Sequence, residues 1–249
     1  MRPDERFAGL TYEAFRRMAT DPNLSPHERS GFPDSYREGA EAAILADIES
    51  KLTALSSSGA TVVDVGCGAG PLTGELRGLC DARGHELILV DSSEVLAHHA
   101  EGPGVSLLPG RFPDVPVLFE RHGGQCDAVL AYSVIQYAFA EASAFAFADE
   151  ALTLLRPGGR LLIGDVPNFS MRRRFLAGAA GRAHHREYTG SDEDPPVAWP
   201  ASPGAEIDDA VTLGLIARAR DAGYHAWVLP QAAGLPMANR REDLLFERP

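Results

Sequence analysis

Three glycines at alternate positions, Gly66, Gly68 and Gly70, form the segment of this chain with the clearest chemical meaning. They follow Thr61–Asp64, a β-branched run typical of a buried parallel strand. They precede Pro71, whose fixed φ suits the first turn of a helix. A loop without Cβ atoms lets a ligand lie directly on the backbone, and the N–H groups of the next helix are free to bind it. The segment therefore predicts a nucleotide-binding turn.

The spacing of these glycines distinguishes between known nucleotide-binding turns. The fingerprint G-x-G-x-x-G requires a third small residue where Pro71 stands, and no Gly-Lys-Ser/Thr of a P-loop follows. The run Asp64–Gly70 instead fits D-x-G-x-G-x-G, which resembles motif I of class I S-adenosylmethionine (SAM)-dependent methyltransferases; another glycine-rich α/β turn is the alternative. The resemblance implies SAM as the cofactor, with Asp64 orienting its amino group. The loop residues that it places at SAM are Asp64, Gly66, Cys67, Gly68 and Gly70.

Two later segments resemble the same family. Asp91 ends the second predicted strand, with Ser92 beside it. The family has an acidic residue there that accepts hydrogen bonds from both ribose hydroxyls of SAM, and a carboxylate can accept two at once. The run Leu155–Leu161 closely resembles the family's L-x-P-G-G-x-L turn before the fifth strand. With these matches, the chain is identified by resemblance as a class I methyltransferase.

The loop after the third predicted strand departs from the family pattern. An Asp commonly receives the adenine amino group there, whereas this chain has Arg111. A guanidinium cannot accept a hydrogen bond. We therefore expect the backbone of Phe112 and apolar packing to hold the adenine, with Arg111 stacked on the purine.

The family's transfer site lies after the fourth strand, where this chain has polar side chains. Tyr132 and Ser133 directly follow a short apolar run. Ligands in open α/β sheets bind at the carboxyl ends of the strands. We therefore expect both residues at the SAM site, with a packing aromatic as the alternative for Tyr132.

Three residues are candidates for the base that removes a proton from the acceptor. Asp165 ends the fifth predicted strand, and His184 and His185 are adjacent in the irregular segment 167–206. Histidine is the natural base near neutral pH, whereas an aspartate needs an apolar setting. The alternatives are a turn-forming role for Asp165 and solvated side chains for the histidines. The run Arg172–Arg174 is either a solvated face or a grip for a substrate phosphate or carboxylate.

The remaining chain alternates between strand and helix patterns. Strands separated by helices imply right-handed crossovers and a parallel sheet covered on both faces. We predict an α/β fold with a doubly wound, mostly parallel seven-stranded sheet, a C-terminal antiparallel β-hairpin and an N-terminal helical cap. Residues 1–34 would form the cap or lid, and residues 35–249 the SAM-binding domain with an acceptor-pocket insertion at about 167–206. Predicted strands are 60–64, 86–91, 105–108, 127–131, 160–164, 224–229 and 243–248; predicted helices are 11–19, 35–55, 71–80, 93–99, 140–155 and 207–222.

Composition excludes several classes of protein. The 249 residues carry a net charge of −12 with a pI of about 5.1, which argues against nucleic acid as the main partner. The three cysteines show no metal spacing and suggest a reducing cytoplasm. No run of 18 apolar residues is present, so a membrane span is not expected.

The sequence therefore predicts an enzyme that transfers a methyl group from SAM to a hydroxyl or amine of a small molecule, with a sugar or secondary metabolite preferred. No metal is expected, and a homodimer is possible. One alternative is a non-catalytic SAM-binding sensor or scaffold. Another is an aminopropyltransferase, which typically carries acidic residues for a polyamine where Tyr132 and Ser133 stand.

Overall fold

The computed structural model describes residues 7, 9–197 and 206–249. Its centre is one seven-stranded sheet. The strands are β1 (Thr61–Val65), β2 (Glu86–Asp91), β3 (Val105–Pro109), β4 (Cys126–Tyr132), β5 (Leu155–Pro167), β6 (His225–Pro230) and β7 (Arg241–Glu247). They lie in the order β3-β2-β1-β4-β5-β7-β6. The pairs from β3 to β5 are parallel, and β7 is antiparallel to both neighbours. The predicted fold class is confirmed.

The helices lie before, between and after these strands. They are α1 (Tyr12–Thr20), α2 (Pro26–Arg29), α3 (Asp34–Arg37), α4 (Glu41–Lys51), α5 (Pro71–Arg83), α6 (Ser93–Leu96), α7 (Pro116–His122), α8 (Ile135–Glu141), α9 (Ala144–Thr153), α10 (Phe169–Ala177), α11 (Ala179–Thr189) and α12 (Asp209–Asp221). A 3₁₀ turn, Thr53–Ser56, follows α4.

The sheet divides the interior into two apolar layers. Successive side chains of a strand point to opposite faces, so Val62 of β1 packs with α4 and α5, whereas Val63 packs on the other face with α9 and α12. Burial on both faces explains why the central strands are almost entirely apolar. The carboxyl ends of the parallel strands therefore form one rim on a rigid base.

Two helices that the sequence analysis predicted as continuous are interrupted. The helix predicted over 35–55 is divided into α3, α4 and the 3₁₀ turn, with Gly39 in the left-handed region at φ 80°. The helix predicted over 140–155 is divided between α8 and α9. Ser143 begins the second helix by accepting a hydrogen bond from the N–H of Ala146. A serine oxygen in this position replaces the missing helical acceptor, so the chain changes direction at low cost.

The segment 167–206 contains two helices that the sequence analysis did not predict. Asn168 caps α10, and Gly190, at φ 66°, ends α11. The two helices pack on each other, and α10 also packs on α12. Residues 198–205 of this segment lie outside the described residues.

Neither a membrane-spanning helix nor a metal-binding cluster lies within residues 7, 9–197 and 206–249. Within these ranges, no helix is long and apolar enough to cross a bilayer. The same ranges contain no cluster of three or more His, Cys, Asp or Glu side chains suited to a metal ion. Cys67, Cys80 and Cys126 are free thiols.

Candidate functional site

The glycine loop connects β1 to α5 in a tight turn. Gly66 and Gly68 adopt φ values of 70° and 69°, which L side chains rarely adopt. The N–H of Gly66 donates to the carbonyl of Val90, which ties the loop to β2. Gly70 stands at the N-cap of α5 and Pro71 at its first turn. The predicted turn is confirmed, with N–H groups at a helix start.

Asp91 faces this loop from the end of β2. Its carboxylate accepts hydrogen bonds from the N–H of Gly68 at 3.0 Å and of Ser92 at 2.7 Å. Burial raises the pKa of Asp91 to about 6, against the effect of these two bonds. A carboxylate has further lone pairs, so Asp91 can accept hydrogen bonds from a ligand's hydroxyls.

Asp64 places a second buried carboxyl under the loop. It lies in β1 and is 5% exposed. Burial raises the pKa of Asp64 to about 7, and the charge of Asp91 adds to the effect. Two acidic side chains at an enclosed site leave one of them partly protonated near neutral pH. Such a pair favours a ligand that brings a positive charge or hydrogen-bond donors.

Both carboxyls open into one cavity of about 550 Å³. This volume lies within the roughly 300–1,000 Å³ of pockets that enclose small ligands. Most of the SAM-binding residues predicted from the sequence line this single cavity: Asp64, Gly66, Cys67, Gly68, Gly70, Asp91, Arg111, Phe112, Tyr132 and Ser133. Ser92 does not line it. That residue is buried at the N-cap of α6, where its hydroxyl accepts from the N–H of Val95.

The far end of the cavity is formed by aromatic rings. Phe112 packs edge-on against Phe147, with ring centroids 4.9 Å apart. Arg111 lies over the ring of Tyr12 at 5.4 Å, and its Nη2 is 3.3 Å from Glu141 Oε2. The guanidinium is thus held at the cavity wall, where one face can contact a planar ligand.

The N-terminal helices cover the cavity. Arg16 of α1 pairs with Glu94 at 2.6 Å, and His98 Nε2 lies 2.7 Å from the carbonyl of Ala19. Ser30, after α2, lies directly on the glycine loop, since a Cβ added to Gly70 would stand 2.7 Å from its Oγ. The missing side chain of Gly70 therefore leaves room for Ser30 of the cap, a role that the sequence analysis did not assign.

A histidine that the sequence analysis missed also lines the cavity. His27 Nε2 lies 2.6 Å from Glu41 Oε1, and Nδ1 lies 3.2 Å from Asp34 Oδ1. Burial pushes the pKa of Glu41 upward, but hydrogen bonds from His27 and backbone N–H groups hold it below its usual value. The sequence pattern that could have pointed to His27 is the capping box of Ser25 and Glu28, which begins the helix that carries this histidine.

Asp165 lies behind the cavity wall and does not line it. It is 2% exposed and adopts φ 57°. Its carboxylate accepts hydrogen bonds from Ser133 Oγ, from Arg37 Nη2 and, at 2.6 Å, from Arg241 Nη1. Two guanidinium groups and a hydroxyl occupy its lone pairs, so this carboxylate positions Ser133 and Arg37 at the cavity.

The structure does not bring His184 or His185 to the cavity. Both lie on α11. His184 Nε2 is 3.2 Å from Arg240 Nη2, and its ring packs near Phe175 and Tyr188. In the described part of the chain, no residue of 167–197 lines the cavity, whereas residues of the N-terminal helices do.

Comparison with known proteins agrees with this architecture. Residues 62–159 match the family model of a methyltransferase domain. No curated protein matches the sequence.

Solved structures resemble the whole chain. The plantazolicin methyltransferase BpumL, in complex with a monoazolic desmethylPZN analog and SAH, has a TM-score of 0.57 at 12% identity, over 98% of both chains. A Haloferax volcanii putative methyltransferase, in complex with the Trm112 activator, has a TM-score of 0.56 at 17% identity, over 94% of this chain and 97% of that one. The Burkholderia thailandensis 1,6-didemethyltoxoflavin-N1-methyltransferase has a TM-score of 0.50 at 19% identity, over 92% of both chains. These likenesses support the fold assignment.

Proposed function

We propose that this SAM-dependent methyltransferase of the class I fold methylates a hydroxyl or amine of a small molecule. One observation carries the proposal. The cavity that contains the glycine loop and Asp91 continues to Tyr132 and Ser133 at the end of β4, under a closed cap. A donor and an acceptor can therefore share one enclosed space, and alignment of two bound reactants is a large part of the catalysis of group transfer.

The loop side of the cavity suits SAM. Asp91 would accept hydrogen bonds from the ribose hydroxyls, and the N–H groups near Gly68 would lie along the ligand. Asp64 is placed to receive the amino group, whose positive charge would relieve the repulsion between the two buried carboxyls. SAM, when bound, supplies a methyl group that its sulfonium already activates.

The cap side of the cavity suits a small acceptor. Its wall includes Phe15, Phe32, Tyr132 and Tyr137, with Arg37 among them. Aromatic rings bury apolar area and hold a ligand by stacking. Arg37 lies 3.9 Å above the ring of Phe32 and is fixed by Asp165. An enclosed aromatic pocket with one oriented guanidinium favours a planar or cyclic small molecule, such as a secondary metabolite, over a polymer.

The geometry favours His27 as the proton acceptor. Among the described residues it is the histidine that lines the cavity. Its Nε2 contacts Glu41 at 2.6 Å and its Nδ1 contacts Asp34 at 3.2 Å, so Nδ1 must leave Asp34 before it can accept a proton from the acceptor. A carboxylate that orients an imidazole also stabilises the charge that the ring gains when it accepts a proton. Asp165 remains a second candidate, acting through Ser133, whose hydroxyl it holds.

Binding and transfer can be tested separately. Calorimetry should show SAM binding to the native chain, and Asp91→Ala should lose roughly 2–4 kcal/mol of affinity because two charge-assisted hydrogen bonds are removed. Asp81→Ala, on the exposed face of α5, is the matched control. Unchanged affinity in Asp91→Ala would overturn the ribose assignment.

Transfer is measured with SAM labelled in its methyl group and a panel of small hydroxyl and amine acceptors. Labelled product with SAH release supports the proposal. SAM binding without transfer to any acceptor would favour a sensor, and transfer from decarboxylated SAM to a polyamine would favour an aminopropyltransferase.

A further inference from the structure

A group of partly buried and exposed cationic side chains outside the cavity has no carboxylate partners among the described residues. It lies where α10 and α11 meet the residue before β7, and it centres on Arg240. The Nη2 of Arg240 donates to His184 Nε2 at 3.2 Å, and the guanidinium lies 5.8 Å from the Phe175 ring. Its Nε is buried without a hydrogen-bond partner. Buried polar atoms are almost always bonded, so this atom calls for an explanation.

The electrostatic surroundings of Arg240 are also cationic. Burial lowers its pKa, and the charges of Arg172 and Arg241 lower it further, whereas Tyr36 acts in the opposite sense. Arg241 is neutralised by Asp165. Arg172 and Arg240 have no carboxylate within ion-pair distance among the residues that the structure describes.

A nearby arginine has the carboxylate partner that Arg172 and Arg240 lack. Arg174, on the same helix as Arg172, pairs with Asp209 at 2.5 Å. The undescribed segment 198–205, Ala-Trp-Pro-Ala-Ser-Pro-Gly-Ala, contains no acidic residue, whereas the undescribed residues 1–6 include Asp4 and Glu5. Arg240 is half-buried and its Nε lacks a hydrogen-bond partner, so an anion that accepts hydrogen bonds from the guanidinium is a suitable partner.

We propose that Arg240, Arg172 and His184 form a binding site for a small oxyanion, a phosphate or carboxylate group. Guanidinium groups bind both in a forked, charge-assisted geometry. A guanidinium can only donate hydrogen bonds, so His184 Nε2 is unprotonated while it accepts from Arg240. The neutral ring then carries its proton on Nδ1, which can donate to the anion. The site is distinct from the SAM cavity, which none of the three residues lines.

The test uses inorganic phosphate and the native chain without SAM, so it does not depend on the proposed function. Phosphate at millimolar concentration should shift the ring resonances of His184. Arg240→Gln should weaken phosphate binding by about tenfold or more, because it removes a charge-assisted contact. Arg174→Gln, which removes a paired arginine of the same region, should leave it unchanged.

Two results would overturn the site. One is a His184 spectrum that phosphate and acetate leave unmoved; the other is an equal loss in Arg240→Gln and Arg174→Gln. If circular dichroism shows that Arg240→Gln is misfolded, Arg172→Gln takes its place with the same expected loss. SAM affinity serves as an independent check, since Arg240→Gln should leave it unchanged.

A second comparison identifies the source of the anion. If a sugar phosphate binds at least tenfold more tightly than inorganic phosphate, the oxyanion is part of a larger ligand. A methyl acceptor that carries a phosphate group is one such ligand. Equal affinities assign the site to the free anion. Both results support an oxyanion site and differ only in its occupant.

Discussion

At the scale of single residues, the site is defined by carboxyl groups in different surroundings. Asp64 is buried near the charge of Asp91, and its pKa is raised to about 7. Asp165 is more deeply enclosed than its place at the strand rim suggests, but two arginines and Ser133 satisfy it. The carboxyl of Asp64 is thus available to a ligand, whereas the carboxyl of Asp165 is already occupied by hydrogen bonds from the protein. This difference decides which carboxyl a cationic ligand can reach.

Asp64→Asn should stabilise the ligand-free protein at pH 8 by about 1–3 kcal/mol. The pKa of Asp64 is about 7 in the folded chain, above the ordinary 3.8, so the folded state binds this proton more tightly than the unfolded state does. Ionised Asp64 therefore destabilises the native chain. This destabilisation is absent below pH 4, grows as the pH rises to 7 and is constant above pH 7. Urea unfolding from pH 4 to 8 measures it. Asp81→Asn, on an exposed helix face, is the control, and a pH-independent difference would contradict the burial argument.

The proton acceptor is also a question for single residues. His27→Ala should lower turnover by about 10²-fold or more while SAM affinity hardly changes, because general-base catalysis contributes that much. His184→Ala and His185→Ala should keep full turnover, since neither side chain lines the cavity. Single-turnover kinetics with a reactive acceptor separates the two effects. Loss of activity in His184→Ala alone would return the base to α11 and require that helix to move.

At the scale of elements, the cap α1–α3 and the insertion α10–α11 have different positions. The cap lies on the glycine loop and contributes aromatic and charged side chains to the cavity wall. The insertion packs on α12 and away from the cavity. We therefore expect closure over a ligand to involve the cap, with the insertion as a separate surface.

Amide hydrogen exchange should distinguish the two elements. Exchange in α1–α3 should slow when SAM is added, because the ligand adds contacts under a cap that is otherwise held by a few polar bonds such as Arg16–Glu94. Exchange in α10 and α11 should stay the same. Arg16→Ala should make the cap exchange faster without SAM, with Arg186→Ala on α11 as the matched control. Equal slowing in both elements would indicate that the insertion also closes.

At the scale of the whole molecule, a buried polar chain connects the cavity rim to the opposite end of the sequence. Lys51 of α4 pairs with Asp243 of β7 at 2.6 Å, and Asp243 is fully buried. Asp243 also accepts a hydrogen bond from the backbone N–H of Asp165 at 2.8 Å. The carboxylate of Asp165 in turn positions Arg37. The central sheet and the helix below it therefore hold the cavity rim through ionic contacts as well as apolar packing.

Lys51→Met should destabilise the protein by about 3–5 kcal/mol, because Asp243 would remain buried without a counter-charge. Burial raises the pKa of Asp243, and Lys51 opposes that effect. Lys51 also pairs with Asp47 at 2.5 Å, so the double variant Lys51→Met with Asp243→Asn should recover only the part of the loss that belongs to Asp243. Urea unfolding measures both variants, and an equal loss in the two would show that the charge of Asp243 does not carry the effect.

The sequence by itself determined the sheet and the cofactor loop. The sheet and the loop are marked by local patterns: the two-residue period of the strands, Pro71 at a helix start, the spaced glycines and Asp91 at a strand end. Such patterns reflect backbone preferences that neighbouring residues already specify. Only the tertiary structure decided which distant side chains meet. It placed His27 beside Glu41, enclosed Asp165 between Arg37 and Arg241, and turned His184 toward Arg240. Such contacts join residues far apart in the chain, and packing selects among many equally polar candidates without leaving a periodic signal in the sequence.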